Sequence, residues 1–252
     1  MKKLFLLLLA LAAFCVILAV RNNRPGMIIA RLKNQLEGDI SGRRLSYRVY
    51  FFGVVPVGEA EFSEEKSESQ EGLYHLSASA RTLPMIAKFF AGSATADSFV
   101  ELKNLTPVEF RQTLSVSGKP DTAKIVKYDQ KNGVMELSGV KRKIFPDTQD
   151  PLSAVFRIRK MDFGQPQEIS ISLNTNQKNY ILQGNAVLRE IKLGGTPDKL
   201  VFVKAQISRR DKNPYHRSSI TMVLLKDRQN LPVLFKVFAG GFFFTARLCS
   251  VE

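Results

Sequence analysis

Residues 47–62 read YRVYFFGVVPVGEAEF, with Gly-x-x-Pro-x-Gly between two apolar runs. Apolar side chains alternate with polar ones on both sides of the glycines, at Val49, Phe51, Ala60 and Phe62. This period of two predicts two half-buried strands joined by a hairpin turn at Gly53–Gly58, where glycine relieves backbone strain. Pro56 has no amide hydrogen to offer an anion and no helix begins after it, which argues against a phosphate-binding loop.

The same alternation recurs along the chain, and it predicts about a dozen strands joined mostly by short loops. It is clearest at 45–51, 74–80, 169–173, 201–207 and 220–224. Turn-forming residues separate the strands at Asn132-Gly133, 174–177, 227–230 and Gly240-Gly241. We therefore expect a mainly β fold, an antiparallel meander curled into a barrel or half-barrel.

Two short helices interrupt this pattern. One is predicted from Pro84 to Gly92, because proline is preferred at the first helical position and glycine at the end of a helix. The other is predicted over 150–160, with Asp150 as N-cap and basic residues in the last turn.

The N-terminus carries an export signal. Lys2 and Lys3 precede an unbroken apolar run from Leu4 to Val20, the pattern of a signal peptide or of a hydrophobic helix retained as a signal anchor. Its 17 residues would reach roughly 26 Å, just under a bilayer core of about 30 Å. Retention is favoured because the small residues wanted at a cleavage site fit only loosely. Phe14 argues against acylation at Cys15.

Residues 21–42 follow as a juxtamembrane segment, and 43–252 are predicted to form a single β domain. Apolar residues of the segment fall at helical spacing, at Met27, Ile28, Ile29, Leu32 and Leu36. The helix they predict lies either on the membrane surface or against the domain. The signal-like start favours a domain outside the cytoplasm, in the periplasm or cell envelope, anchored in the inner membrane if residues 4–20 are retained. The basic residues that follow the run, Arg21, Arg24, Arg31 and Lys33, favour the alternative of a cytoplasmic domain.

Charge and cysteine content narrow the partners. The chain has 252 residues, with 37 Lys and Arg against 23 Asp and Glu, a formal net charge of +14. Such a balance favours anionic partners, and export argues against nucleic acid. The two cysteines are Cys15 and Cys249, so no disulfide is available within the domain, and its stability must come from the core.

Catalytic chemistry finds little support in the sequence. His75 and His216 are far apart and lack a cysteine pair, so we expect no metal site and no cofactor. Asp150 and Ser153 are explained by helix capping. A glycosidase would need two flanking carboxylates, for which Glu59 and Glu61 are candidates, but a solvated strand face explains them better. We expect a protein that is not an enzyme.

Two groups of side chains are the candidate ligand contacts. The helix at 84–92 has more apolar residues than one packed face needs, so Met85, Ile86, Phe89 and Phe90 are predicted to form a lid over an apolar cavity or to touch a membrane, with core packing as the alternative. Arg157 and Arg159 are predicted to contact an anionic headgroup. Both arginines lie in one of three basic groups, at 141–143, 157–160 and 209–217. The three groups form one cationic surface if the fold brings them together and are scattered, solvated side chains if it does not.

Five segments in order resemble the family of exported bacterial proteins called domain of unknown function 3108. They are YRVYFFGVVPVGEAEF, ARTLPMIAKFF, SFVELKNLTPVEFRQ, DPLSAVFRIR and LPVLFKV with GGFFFTARL, and they span 44–248. The resemblance implies an antiparallel β domain beyond the cytoplasmic membrane and brings no activity. Such a sheet is also similar to periplasmic lipoprotein carriers, by fold analogy alone.

The sequence thus leaves three hypotheses. The first is an envelope protein that binds a lipid-like, amphiphilic or anionic envelope component. The second is a membrane-tethered scaffold that docks another envelope protein. The third is an enzyme acting on envelope glycan or lipid, which requires a cleft where Glu59 and Glu61, or Asp150, converge.

Overall fold

The computed structural model describes residues 24–36, 42–67, 71–175, 177–192, 197–210 and 218–252. The predicted signal segment 4–20 lies outside these residues, as do Cys15, His216 and Arg217. Among the described residues, no helix is both long enough and apolar enough to cross a bilayer.

The fold is one antiparallel sheet of 14 strands within the described ranges. The strands are β1 Leu45–Phe51, β2 Val55–Lys66, β3 Leu73–Thr82, β4 Gly92–Glu101, β5 Pro107–Val116, β6 Thr122–Asp129, β7 Val134–Leu137, β8 Val140–Lys143, β9 Gln167–Thr175, β10 Lys178–Ile191, β11 Asp198–Arg209, β12 Ser218–Leu225, β13 Leu231–Ala239 and β14 Phe242–Val251. Three α-helices accompany them: α1 Pro25–Leu32, α2 Pro84–Ala87 and α3 Pro151–Arg159. The mainly β, antiparallel prediction is confirmed.

Strands that follow each other in sequence pair with each other, except β8 and β9, and the two ends of the domain meet in one further pair. The order runs from β8 to β1 and then from β14 to β9, so β1 pairs with β14 at the centre. Their register runs from Leu45 opposite Val251 to Phe51 opposite Phe244. Each half is a meander, as predicted, and the sheet stays open between its edge strands β8 and β9.

Helix α3 lies inside the curve of this sheet. It contacts β3 and β4 of one half and β9 of the other. In a flat sheet the nine strand spacings between β4 and β9 would cover about 43 Å, at about 4.8 Å each. One nine-residue helix contacts both, so the sheet must curl around it. Leu152 and Phe156 pack towards the β3–β4 half, and Ala154 and Ile158 pack towards β9–β12.

Helix α1 covers the opposite, outer face. Val201 and Val203 of β11 pack in the cluster that contains α3, whereas Leu200, on the other face by alternation, packs with Ile28 and Leu32 of α1. Lys33–Leu36 continues α1 as a 3-10 turn. The described part of the juxtamembrane segment therefore packs on the domain, the second of the two predicted alternatives.

Two predicted boundaries differ in the structure. The β1–β2 turn comprises Phe52 to Val54, because Phe52 and Gly53 both have positive φ, as a type I′ turn requires. Gly58 lies within β2, where a Cβ would come 2.8 Å from the Arg81 carbonyl oxygen. The helix at Pro84 ends at Ala87 rather than near Gly92, because Gly92 begins β4 and its amide donates to Thr82 Oγ.

Buried polar contacts fix both ends of α3, which has the predicted boundaries and N-cap. Asp150 is fully buried; its carboxylate accepts from the amides of Leu152 and Ser153 at 2.8 and 3.0 Å. Ser98 Oγ of β4 donates to the same carboxylate at 2.6 Å. At the other end, Arg159 pairs with Glu64 of β2 in a buried ion pair.

The turn before β13 completes the C-terminal attachment. Asn230 Nδ2 donates to the carbonyl oxygens of Arg159 and Met161 at 2.7 and 2.9 Å, which satisfies groups that a helix end leaves without partners. Helix α3 is thereby attached to β4, β2 and the β12–β13 connection.

Replacing Glu64 with glutamine should strongly destabilise the protein. It leaves Arg159, only 5% exposed, without its counter-charge, at an expected cost of about 3–5 kcal/mol in the free energy of unfolding. Urea denaturation measures this. The neighbouring Glu65→Gln is the matched control, because Glu65 is exposed and should change stability by less than about 1 kcal/mol. Equal losses in the two variants would contradict the role of the buried pair.

Asp150 should give the stability a defined pH dependence. Burial raises the pKa of this carboxyl above its ordinary 3.8, against the opposing effect of its hydrogen bonds. The stability contributed by protonated Asp150 is present below pH 3.8 and is lost as pH rises through the raised pKa. Relative to Asp150→Asn, wild type should therefore lose stability over that window in urea titrations at several pH values. A wild type that gains stability relative to Asp150→Asn as the pH rises through this window would contradict the expectation.

Candidate functional site

The inner face of β2, β3 and β4 carries small side chains where the rest of that face carries large ones. Ala60 pairs with Ala80, Ala80 with Ala94, and Ala78 with Ala96. Gly58 pairs with Thr82 in the next row. Further along the same face, the row of Glu64, Leu76 and Ser98 is covered by α3. Helix α3 does not extend towards the β1–β2 turn, so the small alanine side chains leave an empty space on the inner face there.

That space is an apolar groove of about 260 Å³. Ala78 and Ala96 are half-buried and Ala80 is exposed, so the groove is open to solvent. Leu152 and Val155 of α3 close one end. The lining residues are Tyr47, Ala60, Glu61, Phe62, Ala78, Ser79, Ala80, Ala94, Thr95, Ala96, Gln112, Leu152, Val155, Pro232, Phe235 and Ala246.

Polar atoms contribute little to the groove. The Tyr47 hydroxyl donates to the Pro232 carbonyl oxygen at 2.8 Å, and burial raises the pKa of this phenol well above its ordinary value of 10.0. Tyr47 is thus a neutral donor whose bond is already made, and it contacts the groove through its ring. Gln112 of β5, half-buried, supplies a polar side chain at the far side.

Exposed apolar side chains, most of them aromatic, lie beyond the groove at the end of the sheet that carries the β1–β2 turn, which we call the mouth of the groove. Phe242 and Phe244 lie on the same face of β14 as Ala246, which lines the groove, and both contact Phe51. We call the exposed side chains at this end the aromatic rim: Phe52, Val55, Met85, Phe89, Phe90, Phe238, Phe242 and Phe244.

The four predicted lid residues all belong to this end of the sheet. Met85, Phe89 and Phe90 are 64%, 89% and 55% exposed, and Ile86 is half-buried. The ring of Phe90 lies over Gly92, where an added Cβ would meet it at 3.4 Å. None of the four lines the groove, and contact with a ligand stays a prediction.

Neither predicted headgroup residue lines the groove, although the guanidinium of Arg159 lies 5.9 Å from the centroid of the Phe62 ring, which does. Arg157 is 3.7 Å from a carboxylate oxygen of Asp147, and Arg159 is held by Glu64. A headgroup role for these arginines stays a prediction, and it would require them to exchange carboxylate partners.

The basic groups 141–143 and 209–217 meet in part. Asn179 Nδ2 donates to the Lys143 carbonyl oxygen at 2.9 Å, and the Asn179 carbonyl accepts from the Arg210 amide at 3.0 Å. The guanidinium of Arg210 lies 4.0 Å from the centroid of the Phe145 ring. The rest of the second group, 211–217, lies outside the described residues.

The carboxylates considered for catalysis do not converge. Glu59 lies on the outer face, where Arg48 and Arg81 each approach it to 3.1 Å, and Glu61 is 3.9 Å from Arg44. Asp150 is buried on the inner face and bonded as a cap. Among the described residues, no three His, Cys, Asp or Glu side chains are arranged to hold a metal ion.

His75 has two acidic neighbours on the outer face. Its ring nitrogens lie 3.2 Å from Glu65 Oε1 and 2.9 Å from Asp97 Oδ1, and the ring stacks on Phe99. The residue is held as part of the strand surface, away from the groove.

Sequence reasoning missed the alanines that form the groove. A signal was present, since Ala78 and Ala80 precede Ala94 and Ala96 with the same spacing of two in successive strands. The spacing shows that each pair shares a face, but only the register shows that the pairs lie opposite each other.

Comparisons with known proteins agree with this architecture. A family model described as "Protein of unknown function (DUF3108)" matches residues 46–246. The chain is similar in structure to a beta-barrel-like protein of domain of unknown function DUF1849 from Brucella abortus, with a TM-score of 0.57 and 15% identity, over 85% of this chain and 98% of that one. This likeness shows a barrel-like fold.

A more distant likeness is to a "putative lipoprotein" from Parabacteroides distasonis ATCC 8503, with a TM-score of 0.35 and 8% identity, over 84% of this chain and 95% of that one. It is too weak to support an argument. No curated protein matches the sequence.

Filling the groove should abolish uptake of an apolar dye without unfolding the protein. The double variant Ala78→Leu and Ala96→Leu places two leucines into open space, so we expect a stability change of no more than about 1–2 kcal/mol. Fluorescence of N-phenyl-1-naphthylamine measures binding. Thr113→Leu, on the exposed outer face of β5, is the control and should bind as wild type does. Unchanged dye binding in the double variant would show that the groove is not the site.

Proposed function

The chain belongs to the DUF3108 family of proteins of unknown function, and we propose that it is an envelope protein whose groove binds the apolar chain of an amphiphile. The observation that carries the proposal is the open groove lined by alanines on the inner face of β2–β4. Its place in the envelope rests on the signal-like N-terminus.

The lining supports an apolar ligand. A mainly apolar lining favours hydrocarbon, which gains about 25 cal/mol for each Å² of apolar surface removed from water. The phenol of Tyr47 already donates to Pro232, and Gln112 is the polar side chain at the far side. An uncharged chain therefore fits the groove better than an anionic headgroup does.

The volume limits the ligand to a part of a lipid. About 260 Å³ is below the roughly 300–1,000 Å³ of pockets that enclose drug-sized molecules. We infer that one acyl chain, or a segment of one, enters between Tyr47 and Ala96. The rest of the amphiphile stays at the mouth, among the aromatic rim.

The mouth supports access from an apolar phase. Phe244 and Phe242 continue the inner face beyond Ala246, and Phe90 lies over Gly92 at the opposite side of the mouth. An acyl chain that enters between them exchanges one apolar surface for another. In this proposal Met85, Ile86, Phe89 and Phe90 form the movable side of the entrance.

Mass spectrometry of the lipid carried by the purified protein tests the proposal. The full chain is produced in a bacterial envelope, and bound molecules are extracted into organic solvent. We expect wild type and Thr113→Leu to carry a molecule with an acyl chain, and the Ala78→Leu, Ala96→Leu variant to lose it. Wild type that carries no such molecule and takes up no added fluorescent fatty acid would overturn the proposal.

A further inference from the structure

The connections that carry the aromatic rim are neighbours, because backbone hydrogen bonds join them or the strands beside them. The Phe52 amide donates to the Phe243 carbonyl at 2.7 Å, and the Leu83 amide donates to that of Val57 at 3.0 Å. The Ser117 amide donates to the Ala91 carbonyl at 2.8 Å. These bonds connect the β13–β14, β1–β2, β3–β4 and β5–β6 connections in that order.

The rim gathers most of the large apolar side chains that the described residues expose. Eight of the fourteen belong to it, and Phe89 is 89% exposed. Contiguous exposed apolar surface of this kind marks a contact with a membrane or a protein. The β1–β2 and β13–β14 turns are tight, with positive φ at Gly53, Gly240 and Gly241, so the rings of Phe52 and Phe242 extend from fixed positions.

Charges around the rim favour an anionic partner. Lys88 lies directly before Phe89, and Lys119 lies in the adjacent β5–β6 connection, which also contains Asp121. Nearby Glu59 is already paired with Arg48 and Arg81. Aromatic rings next to lysines are the combination found where proteins lie in the interfacial layer of a bilayer.

We propose that the aromatic rim inserts into the interface of an anionic bilayer, with Phe89 and the Phe52–Phe242 tips among the headgroups and Lys88 and Lys119 against the lipid phosphates. A bilayer accepts separate protruding tips without a complementary shape, and its negative surface matches the local lysines and the net charge of +14. This surface goes beyond the groove, and docking does not require the groove to hold a ligand.

Tryptophan fluorescence tests the insertion directly, because the chain contains no tryptophan. Phe89→Trp and Phe242→Trp each place a single reporter on the rim. Leu102→Trp is the matched control, since Leu102 is also exposed but lies in the β4–β5 connection at the other end of the sheet. Each full-length variant is mixed with vesicles of phosphatidylcholine containing about one-third phosphatidylglycerol, with and without brominated acyl chains.

We expect a blue shift and bromine quenching for the Phe89→Trp and Phe242→Trp variants, with little of either for Leu102→Trp. The effect should weaken with added salt and in pure phosphatidylcholine vesicles. Because the reporters record depth at the rim, anchoring through residues 4–20 alone would give no quenching in Phe89→Trp and would overturn the proposal. A blue shift that depends on protein concentration without vesicles would also overturn it, in favour of contact with a second copy.

The lipid-extraction experiment distinguishes membrane docking by the rim from ligand binding in the groove. When Phe89→Trp is combined with Ala78→Leu and Ala96→Leu, the protein should lose its bound molecule and its tryptophan should still be quenched. If Phe89→Trp alone, with the groove intact, carries the bound molecule but shows no quenching, membrane docking is refuted and ligand binding stands.

Discussion

The fold depends on one short helix whose ends are fixed by buried polar contacts. Asp150 attaches the first turn of α3 to Ser98 of β4, and the Arg159–Glu64 pair attaches the last turn to β2. Removing one partner from such a contact leaves an unpaired polar group out of water, which costs more than the bond itself contributes. The position of α3 across the rows of β2–β4 is therefore strongly determined, and the sheet curls to bury both faces of the helix.

The groove follows from where α3 stops covering the sheet. Its side chains Phe156 and Leu152 fill the inner face near Leu76 and Val100. In the next rows the strands present Ala78, Ala96 and their alanine neighbours, so side chains from the two sides do not meet. A packed core would place large residues there, because interiors are filled to the density of organic crystals. The small residues keep the space open without an unsatisfied polar group.

Local chemistry made much of this predictable from the sequence. The Asp150-Pro151 start specified the cap of α3, and the alternation around Val49 and Ala60 specified a hairpin. The rest depended on distant neighbours: Arg159 is buried because Glu64, 95 residues away, lies opposite it, and helix α2 ends early because β4 takes Gly92. The groove likewise required the register between β3 and β4, which no pattern within a single strand contains.

The groove and the rim are joined by strand geometry, which constrains how they work together. Alternation along β14 puts Phe242 and Phe244 on the face of Ala246, and along β1 it puts Phe51 on the face of Tyr47. If both proposals hold, a rim in the bilayer interface would direct the mouth of the groove towards the acyl region rather than towards water. An acyl chain leaving the membrane along this face would then pass along phenyl rings and alanines.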